Sequence, residues 1–558
     1  MSQELTKIER LKQSSHGLRG KIKEELKDPE AKRFTNDSEQ LLKFHGMYQQ
    51  KDRDRRAPAE RKLGPKPFTL MIRGRIPGGR LSPESWRVWD DLASAYSSGG
   101  IRLTTRQSIQ LHGVLKSQVE DSIKKIHQSL QTTTGACGDV VRNVTQAVNP
   151  WGDPKLAQLD HVAELISQHF EVRSQAYFDI FLDGESVRVD EQETIYGDRY
   201  LPRKFKIAVS AEGDNSVDIY THDFAIVATF NDGGVIDGYH IFAGGGMGTS
   251  HNNEATFPRL ADHLGWIPKK ELIPISEAIV TTQRDFGNRE DRSQARLKYT
   301  IAHRGVDWFR HEVSSRAGVD FEDRPLAPWK TRSPLGWFDQ ANGKKALGLH
   351  LLSGRIIDQP NRKLKSALRQ IIDHYVTQVQ ITAEQDLILE GIDPEKQIEV
   401  ETILDQNGIS PFSPNRIFDR AVTCVALPTC VKALAESERV GEATFSSIQE
   451  LFDKHRQGRR APTVRITGCP NGCARPYAAE IGLVGQLPGK YALFLGGSQE
   501  GTRLAKKIGD KLKLDDIYRY LDFAFSQWSK QGEPTEDFGD FVDRVGLANL
   551  KPIEEGLE

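Results

Sequence analysis

The sequence predicts an internally duplicated α/β chain, assembled from small α+β units related by a pseudo-two-fold. Three internal matches carry this reading. LTTRQSIQLHGV (Leu103 to Val114) matches ITAEQDLILEGI (Ile381 to Ile392) without gaps. FTLMIRGRI (Phe68 to Ile76) matches LGLHLLSGRI (Leu347 to Ile356), and GYHIFAGGGMGTSH (Gly238 to His251) resembles KYALFLGGSQEGTR (Lys490 to Arg503).

The elements follow in chain order. Residues 1–65 are polar and charged, with one apolar-aromatic island at Lys43 to Gln50 (KFHGMYQQ). They are expected to form a solvated arm or linker, or else an arm that docks a partner or rims a cleft. The first repeat then reads strand, helix, strand. Ser82 is a helix N-cap with Pro83 at the first helical position, and Trp86, Trp89, Leu92, Ala93 and Tyr96 share one face. In the second repeat Leu364, Leu368, Ile371, Ile372 and Tyr375 repeat that face. The Gly-Gly runs after Tyr239 and Tyr491 read as strand-ending turns. Neither is a GxGxxG that opens a helix, so no dinucleotide fold is predicted. A duplicated fold leaves a cleft between its copies, and the site is expected there.

Composition narrows the function classes. With 37% hydrophobic and 27% charged residues among 558, the chain can bury several cores and is not disordered. Lys+Arg is 76 against Asp+Glu 77, which argues against a general polyanion binder, so any basic site is local. Mean hydropathy is −0.52 and no apolar run approaches a membrane span. The N-terminus shows no apolar h-region and is Glu-rich, which predicts a cytoplasmic chain. Five cysteines are too few for a disulfide scaffold and point to metal or redox chemistry in a reducing compartment.

Four of the five cysteines form two pairs, Cys424-x5-Cys430 and Cys469-x3-Cys473. Such a set holds an iron–sulfur cluster or zinc, or consists of buried structural cysteines. The wide, apolar first pair favours the cluster, because each thiolate of a cubane reaches a different iron. VRIT (Val464 to Thr467) reads as a strand and ARPYAAEIG as a helix, which would place Cys473 near a helix N-terminus. Asn471 and Gly472 offer N–H donors to cluster sulfur. Cys137 reads as a small buried residue.

The cations gather elsewhere. YLPRKFK (Tyr200 to Lys206) places Lys204 and Lys206 on one strand face beside Arg203. Arg102, Arg106 and Arg142 add to them, and TTQRDFGNREDRSQARLKYT adds Arg284, Arg289, Arg292, Arg296 and Lys298. A solvated sheet face explains an isolated KxK. A polycarboxylate cofactor or small oxyanion explains the whole set better than nucleic acid does, since the clusters lack interleaved aromatics. The repeats have also diverged: Arg73 is matched to Ser353, Arg106 to Glu384 and His112 to Glu390. One half is thus expected to supply cations and the other thiolates.

FHGMYQQ, IRLTTRQSIQLHG, YLPRKFK, TTQRDFGNR, the cysteine set with TGCPNGC, and the closing FGDF together resemble the sulfite reductase hemoprotein family, over about residues 40–548. The cysteine set is shared with nitrite reductases, while FHGMYQQ and the second Lys of YLPRKFK resemble the sulfite branch. The resemblance implies a siroheme coupled to a [4Fe-4S] cluster held by Cys424, Cys430, Cys469 and Cys473, with Cys473 bridging to the siroheme iron. It implies Arg73, Arg142, Lys204 and Lys206 around the substrate. Arg102, Arg106, Gln110, Arg296 and Lys298 would anchor siroheme carboxylates, with Asn471 beside the cofactor.

The implied fold is a central ferredoxin-like domain built from both repeats (66–145 and 330–412), flanked by two siroheme/iron–sulfur α/β domains (146–329 and 413–558). The implied activity is assimilatory reduction of sulfite to sulfide. Electrons would come from a diflavin NADPH-dependent reductase subunit or from ferredoxin, with no membrane or nucleic-acid partner. A nitrite reductase on the same scaffold and a non-catalytic zinc-stabilised binding protein are the alternatives.

Overall fold

The computed structural model describes residues 5–54, 68–182, 193–410, 417–455 and 458–552. The chain divides into two compact units. One comprises Met1–Gly245 with Ala261–Pro411, the other Gly246–Leu260 with Phe412–Glu558. No helix among the described residues is long and apolar enough to cross a membrane.

In the first unit, the first repeat contributes β1 (Met47–Lys51), β2 (Phe68–Arg73), β3 (Arg80–Leu81), β4 (Ile101–Leu103) and β5 (Ile109–Val114). Next come β6 (Thr145–Gln146), β7 (Ile207–Ala211), β8 (Phe224–Phe230), β9 (Ile236–Ala243) and β10 (Asp262–Pro268). The second repeat supplies β11 (Gly336–Asp339), β12 (Lys345–Leu349), β13 (Arg355–Ile356), β14 (Asp358–Gln359), β15 (Arg362–Lys363), β16 (Gln378–Ile381) and β17 (Leu387–Ile392). The second unit holds β18 (Val422–Thr423), β19 (Val464–Thr467), β20 (Ile481–Leu487), β21 (Lys490–Leu495) and β22 (Lys506–Leu512).

The two repeats exchange strands. One sheet runs β1-β2-β5-β4-β13 and the other β11-β12-β17-β16-β3, so each is completed by a short strand from the other copy. The repeated glutamine of RQS and EQD explains why this motif recurs. Gln107 and Gln385 both sit at positive φ, 50° and 75°. Gln107 donates to Ile381 O at 2.8 Å, and Gln385 donates to Leu103 O at 3.2 Å. Gly79 and Gly354 are the matching close approaches: a Cβ would meet Ile381 O or Leu103 O at 2.6 Å in each case. The predicted helix forms at Pro83–Tyr96, with Ser82 capping Ser85 N–H, and its partner spans Leu364–Tyr375. Both bury the faces read from the sequence, apart from Tyr96 and Tyr375, which are half-buried.

These contacts correct the register of one internal match. Gly79-Arg80-Leu81 is equivalent to Gly354-Arg355-Ile356. Arg73, opposite Gln110, is therefore equivalent to Gly348, opposite Ile388, and not to Ser353. The first repeat contains two Gly-Arg dipeptides, and sequence comparison had matched the wrong one.

The second internal match also has its structural basis. The sheets β6-β7-β8-β9-β10 and β18-β19-β20-β21-β22 share one topology, parallel for three strands and antiparallel for two. Tyr239 lies opposite Ala228 as Tyr491 lies opposite Gly485. Asp223 and Glu480 occupy equivalent buried places. Each accepts the N–H of the residue just before the inner strand, Lys206 at 2.9 Å and Thr463 at 2.8 Å. Glu480 also accepts Gly539 N–H at 2.8 Å, which docks the closing FGDF motif.

Residues 5–54 do not form a solvated arm. They build helices α1 (Lys7–Gln13), α2 (Ile22–Lys27) and α3 (Asn36–Leu42) and edge strand β1. Leu18, Ile22, Phe34, Leu41, Leu42, Phe44 and Met47 enter the main core. Their charged composition misled because Glu9 and Lys12 are themselves buried and paired. Residues 55–65 of the expected arm lie outside the described residues.

Candidate active site

One face of the first sheet is cationic. Register places Arg73, Gln110, Arg102 and Arg355 in a single row across β2, β5, β4 and β13, so their side chains share a face. Gln110, with its amide oxygen toward Arg73, accepts from Nε at 3.1 Å. Arg73 also donates to the Cys137 thiol at 3.2 Å, and Arg102 donates to Ser353 O at 3.1 Å. His112 lies two residues from Gln110 on the same face, with Nδ1 3.1 Å from Gln50 Oε1. Burial, then Arg355, Arg102 and Arg73, hold its pKa well below the ordinary histidine value, so it stays neutral.

The second cationic group surrounds the start of β7. Phe205 is buried and bridges to Val141, so the flanking Lys204 and Lys206 emerge together on the opposite side, as the alternation predicts. Arg142 joins them, because its N–H donates to Phe205 O at 2.9 Å. Burial lowers the Lys204 pKa well below its ordinary value, and Lys206, Arg142, Arg203 and Arg296 add to this. Burial alone would lower Arg142, but Tyr48, Cys137 and Asp139 outweigh it and raise it. Burial and Cys137 raise the Tyr48 phenol, against the pull of Arg142, Arg73 and Arg203. Tyr48, from the FHGMYQQ island, thus belongs to this pocket. The sequence held the signal, an aromatic island in a charged segment, but gave no means to attach it to Arg142.

Several expected anchors are already engaged by the protein. Arg106 turns onto Ile207 O at 2.9 Å, Asn143 O and Thr145 Oγ1 at 3.3 Å. Arg296 gives Nε and Nη2 to Asp223 at 2.8 Å each, and Lys298 is fully buried over the Tyr299 ring. Arg289 and Arg292 pair with Glu9 and Asp139. Arg106 thereby fixes neighbouring backbone and Arg296 holds a buried carboxylate, roles that a count of cations cannot distinguish from anion binding.

The thiols lie in the second unit. Cys424 follows β18, Cys430 ends the next turn, and Cys469 and Cys473 follow β19. Cys424 Sγ accepts Gly468 N–H at 3.2 Å and Thr467 Oγ1–H at 3.6 Å, and Cys469 Sγ accepts Asn471 Nδ2–H at 3.5 Å. Burial pushes the Cys430 thiol up to about 11, with Cys473 and Cys424 adding to it. Cys424 and Cys469 are raised by burial and then by the other thiols. Cys473 is among the charges that raise each of the other three, which puts the four thiols in one neighbourhood. Four thiols in one neighbourhood, with N–H and O–H donors already aimed at two of the sulfurs, fit a polynuclear cluster. Gly248 and Gly472 line the Cys469–Cys473 turn, where a Cβ would meet Asn471 O at 3.1 Å or Met247 O at 3.0 Å.

The helix expected after Cys473 is absent. Arg475 is left-handed at φ 57°, only Pro476–Ala478 form a single 3-10 turn, and the chain enters β20 at Ile481. Glu480 must be buried against Thr463 and Gly539, and this pulls the segment straight. Cys473 therefore has no helix dipole beside it.

Comparisons with known proteins agree with this architecture. Residues 64–129 match the nitrite/sulfite reductase ferredoxin-like half domain. Residues 161–321 match the nitrite and sulphite reductase 4Fe-4S domain, over the sheet whose topology the cysteine-bearing sheet repeats. The sulfite reductase [NADPH] hemoprotein beta-component of Shewanella putrefaciens is 42% identical over 98% of this chain and 97% of its own. The sulfite reductase [ferredoxin] of Synechococcus elongatus is 40% identical over 100% of this chain and 92% of its own. The Mycobacterium tuberculosis NirA structure, 22% identical, superposes with a TM-score of 0.79 over 98% of both chains and shows the same fold. At this identity and coverage, the chain belongs to the sulfite reductase hemoprotein family of oxidoreductases.

Proposed function

We propose that this chain is the catalytic component of a sulfite reductase, taking sulfite through six electrons and seven protons to HS⁻ and three waters. The observation that carries the reading is the thiol set, four cysteines gathered in the segments that follow β18 and β19, with N–H and O–H donors already aimed at Cys424 and Cys469. Cys424, Cys430, Cys469 and Cys473 would hold the [4Fe-4S] cluster. Cys473, the exposed member, would bridge to a siroheme iron. The row of Arg73, Arg102 and Arg355 with Gln110 suits a polycarboxylate macrocycle. When bound, the coupled pair supplies the iron that takes the substrate sulfur and the electrons that reduce it.

The chain's own residues supply charge and protons. The guanidinium groups of Arg73 and Arg142 draw charge onto the sulfite oxygens. Lys204, whose ammonium is destabilised by burial and its cationic neighbours, gives up a proton nearer neutrality than an ordinary lysine. Lys206 keeps that pressure on it.

A diflavin NADPH-dependent reductase subunit is the proposed donor, in keeping with the named beta-component relatives. Ferredoxin is the second reading, favoured by the Synechococcus relative at nearly the same identity. The labile cluster and reductive chemistry suit the cytoplasm. The purified chain, assayed for visible absorbance, iron and acid-labile sulfide, tests the cofactor half. A colourless zinc protein would refute it. Turnover with each reduced donor, and with sulfite against nitrite, decides the donor and the substrate.

A further inference from the structure

Three consecutive carbonyls precede the substrate lysines, and each is held by a different cation. Tyr200 O accepts Arg289 Nη2–H at 2.7 Å, Leu201 O accepts Lys12 Nζ–H at 2.9 Å, and Pro202 O accepts Arg292 Nη1–H at 3.2 Å. The chain needs this support, because Tyr200 is a bulky residue at φ 54°, in the left-handed region. The cations are held in turn. Glu9 pairs with both Lys12 and Arg289, and Asp139 takes Arg292 through two bonds of 2.8 and 2.9 Å. Lys12 lies 3.8 Å and Arg203 3.9 Å from Asp139. Glu9, Lys12 and Asp139 are almost completely buried.

Asp139 also connects this network to the other side of the pocket. Its backbone carbonyl accepts Leu201 N–H at 2.9 Å. Three residues later comes Arg142, tied by its own N–H to Phe205 O. One network therefore sets the loop that delivers Lys204 and Lys206 and the segment that delivers Arg142. Glu9 and Lys12 reach it from α1, at the start of the chain.

We propose that Lys12, Arg289 and Arg292 are positioning residues for sulfite reduction, fixing the Tyr200–Pro202 backbone so that Lys204 and Lys206 meet the substrate oxygens in register. This rests on the substrate role given above to those lysines. None of the three need touch substrate. Their effect is geometric, and a misplacement of about 1 Å can cost on the order of 10²-fold in rate.

The test uses the pigmented full-length protein with a reduced viologen dye, which needs no protein donor. Lys12→Met should keep the pigment and lower kcat for sulfite by roughly 10–100-fold, with a smaller change in KM. It should also shift the sulfite-to-nitrite ratio in the same direction as Lys206→Asn, and Lys12→Arg should restore most of the loss. Arg292→Lys keeps its charge but loses the two-bond grip on Asp139, and should show the same pattern more mildly. It decides the matter if Lys12→Met does not fold. Wild-type kcat in pigmented Lys12→Met and Arg292→Lys would overturn the proposal. So would loss of pigment in both, since the network would then serve cofactor retention. Lys206→Asn in the same assay separates the two readings: if it too is unaffected, the substrate role of the lysines fails as well.

Discussion

Replacing Lys206 with Asn removes one cation from the pocket and one repulsive neighbour of Lys204. The two lysines flank Phe205 on extended backbone, so their Cα atoms lie about 6.6 Å apart. Ammonium groups held at the same spacing repel by about 2.5 kcal/mol at an effective dielectric near 20. Two effects follow. Loss of a preorganised oxyanion donor should lower kcat for sulfite on the order of 10²–10³-fold. Relief of the repulsion should let Lys204 hold its proton to higher pH, because Lys206 is the first charge after burial that depresses it. The alkaline limb of the residual activity should therefore move upward, and preference should shift toward nitrite. The assay is sulfite-dependent oxidation of reduced viologen from neutral to alkaline pH, with visible absorbance confirming that the cofactor is retained. Unchanged turnover would place the pair on an ordinary solvated face, an unmoved alkaline limb would remove Lys204 as the proton donor, and a lost pigment would make Lys206 a cofactor anchor.

Three further outcomes are expected. Cys424→Ser, Cys430→Ser or Cys469→Ser should each abolish the visible spectrum and lower the iron content; an unaltered spectrum would show that the cysteine is no ligand. Deleting residues 1–50 should remove Leu18, Ile22, Phe34, Leu41 and Phe44 from the core, so that soluble protein is lost and activity falls equally with protein and dye donors; a loss confined to the protein donor would return the segment to a docking role. Glu480→Gln puts an NH₂ group where one of the two carboxyl oxygens accepts from Thr463 or Gly539, and should cost about 1–3 kcal/mol in denaturant unfolding at acidic pH. Burial raises the Glu480 pKa to about 7, so its stabilising contribution is full below the ordinary carboxyl range and is lost as pH rises through about 7. The gap between wild type and variant should narrow over that interval, and a widening gap would contradict the raised pKa.

Much of this was legible in the sequence for identifiable reasons. The duplication was visible because Gln107 and Gln385 make the same exchange across the copies, so both keep their neighbours. The pairing of Lys204 with Lys206 was visible because strand alternation is local. What failed was non-local. The register at Gly79 depended on which of two Gly-Arg dipeptides meets the other copy's strand. Glu9 and Lys12 read as surface charges because no pattern shows that Asp139, Arg289 and Arg292 will meet them. The internal partners of Arg106 and Arg296, Ile207 O and Asp223, come from other elements and so show in no local pattern. The helix expected after Cys473 failed because burial of Glu480 overrides the local propensity of an alanine-rich segment.

The measurement that tests the central claim most directly is the electron count of a single reaction. The purified, pigmented chain, given limiting sulfite and excess reduced dye, should consume six dye electrons for every sulfide released, with no nucleotide or flavin added. Sulfide formed at that ratio is the predicted result. A chain that oxidises no dye with sulfite, or that consumes electrons without releasing sulfide, would contradict the account.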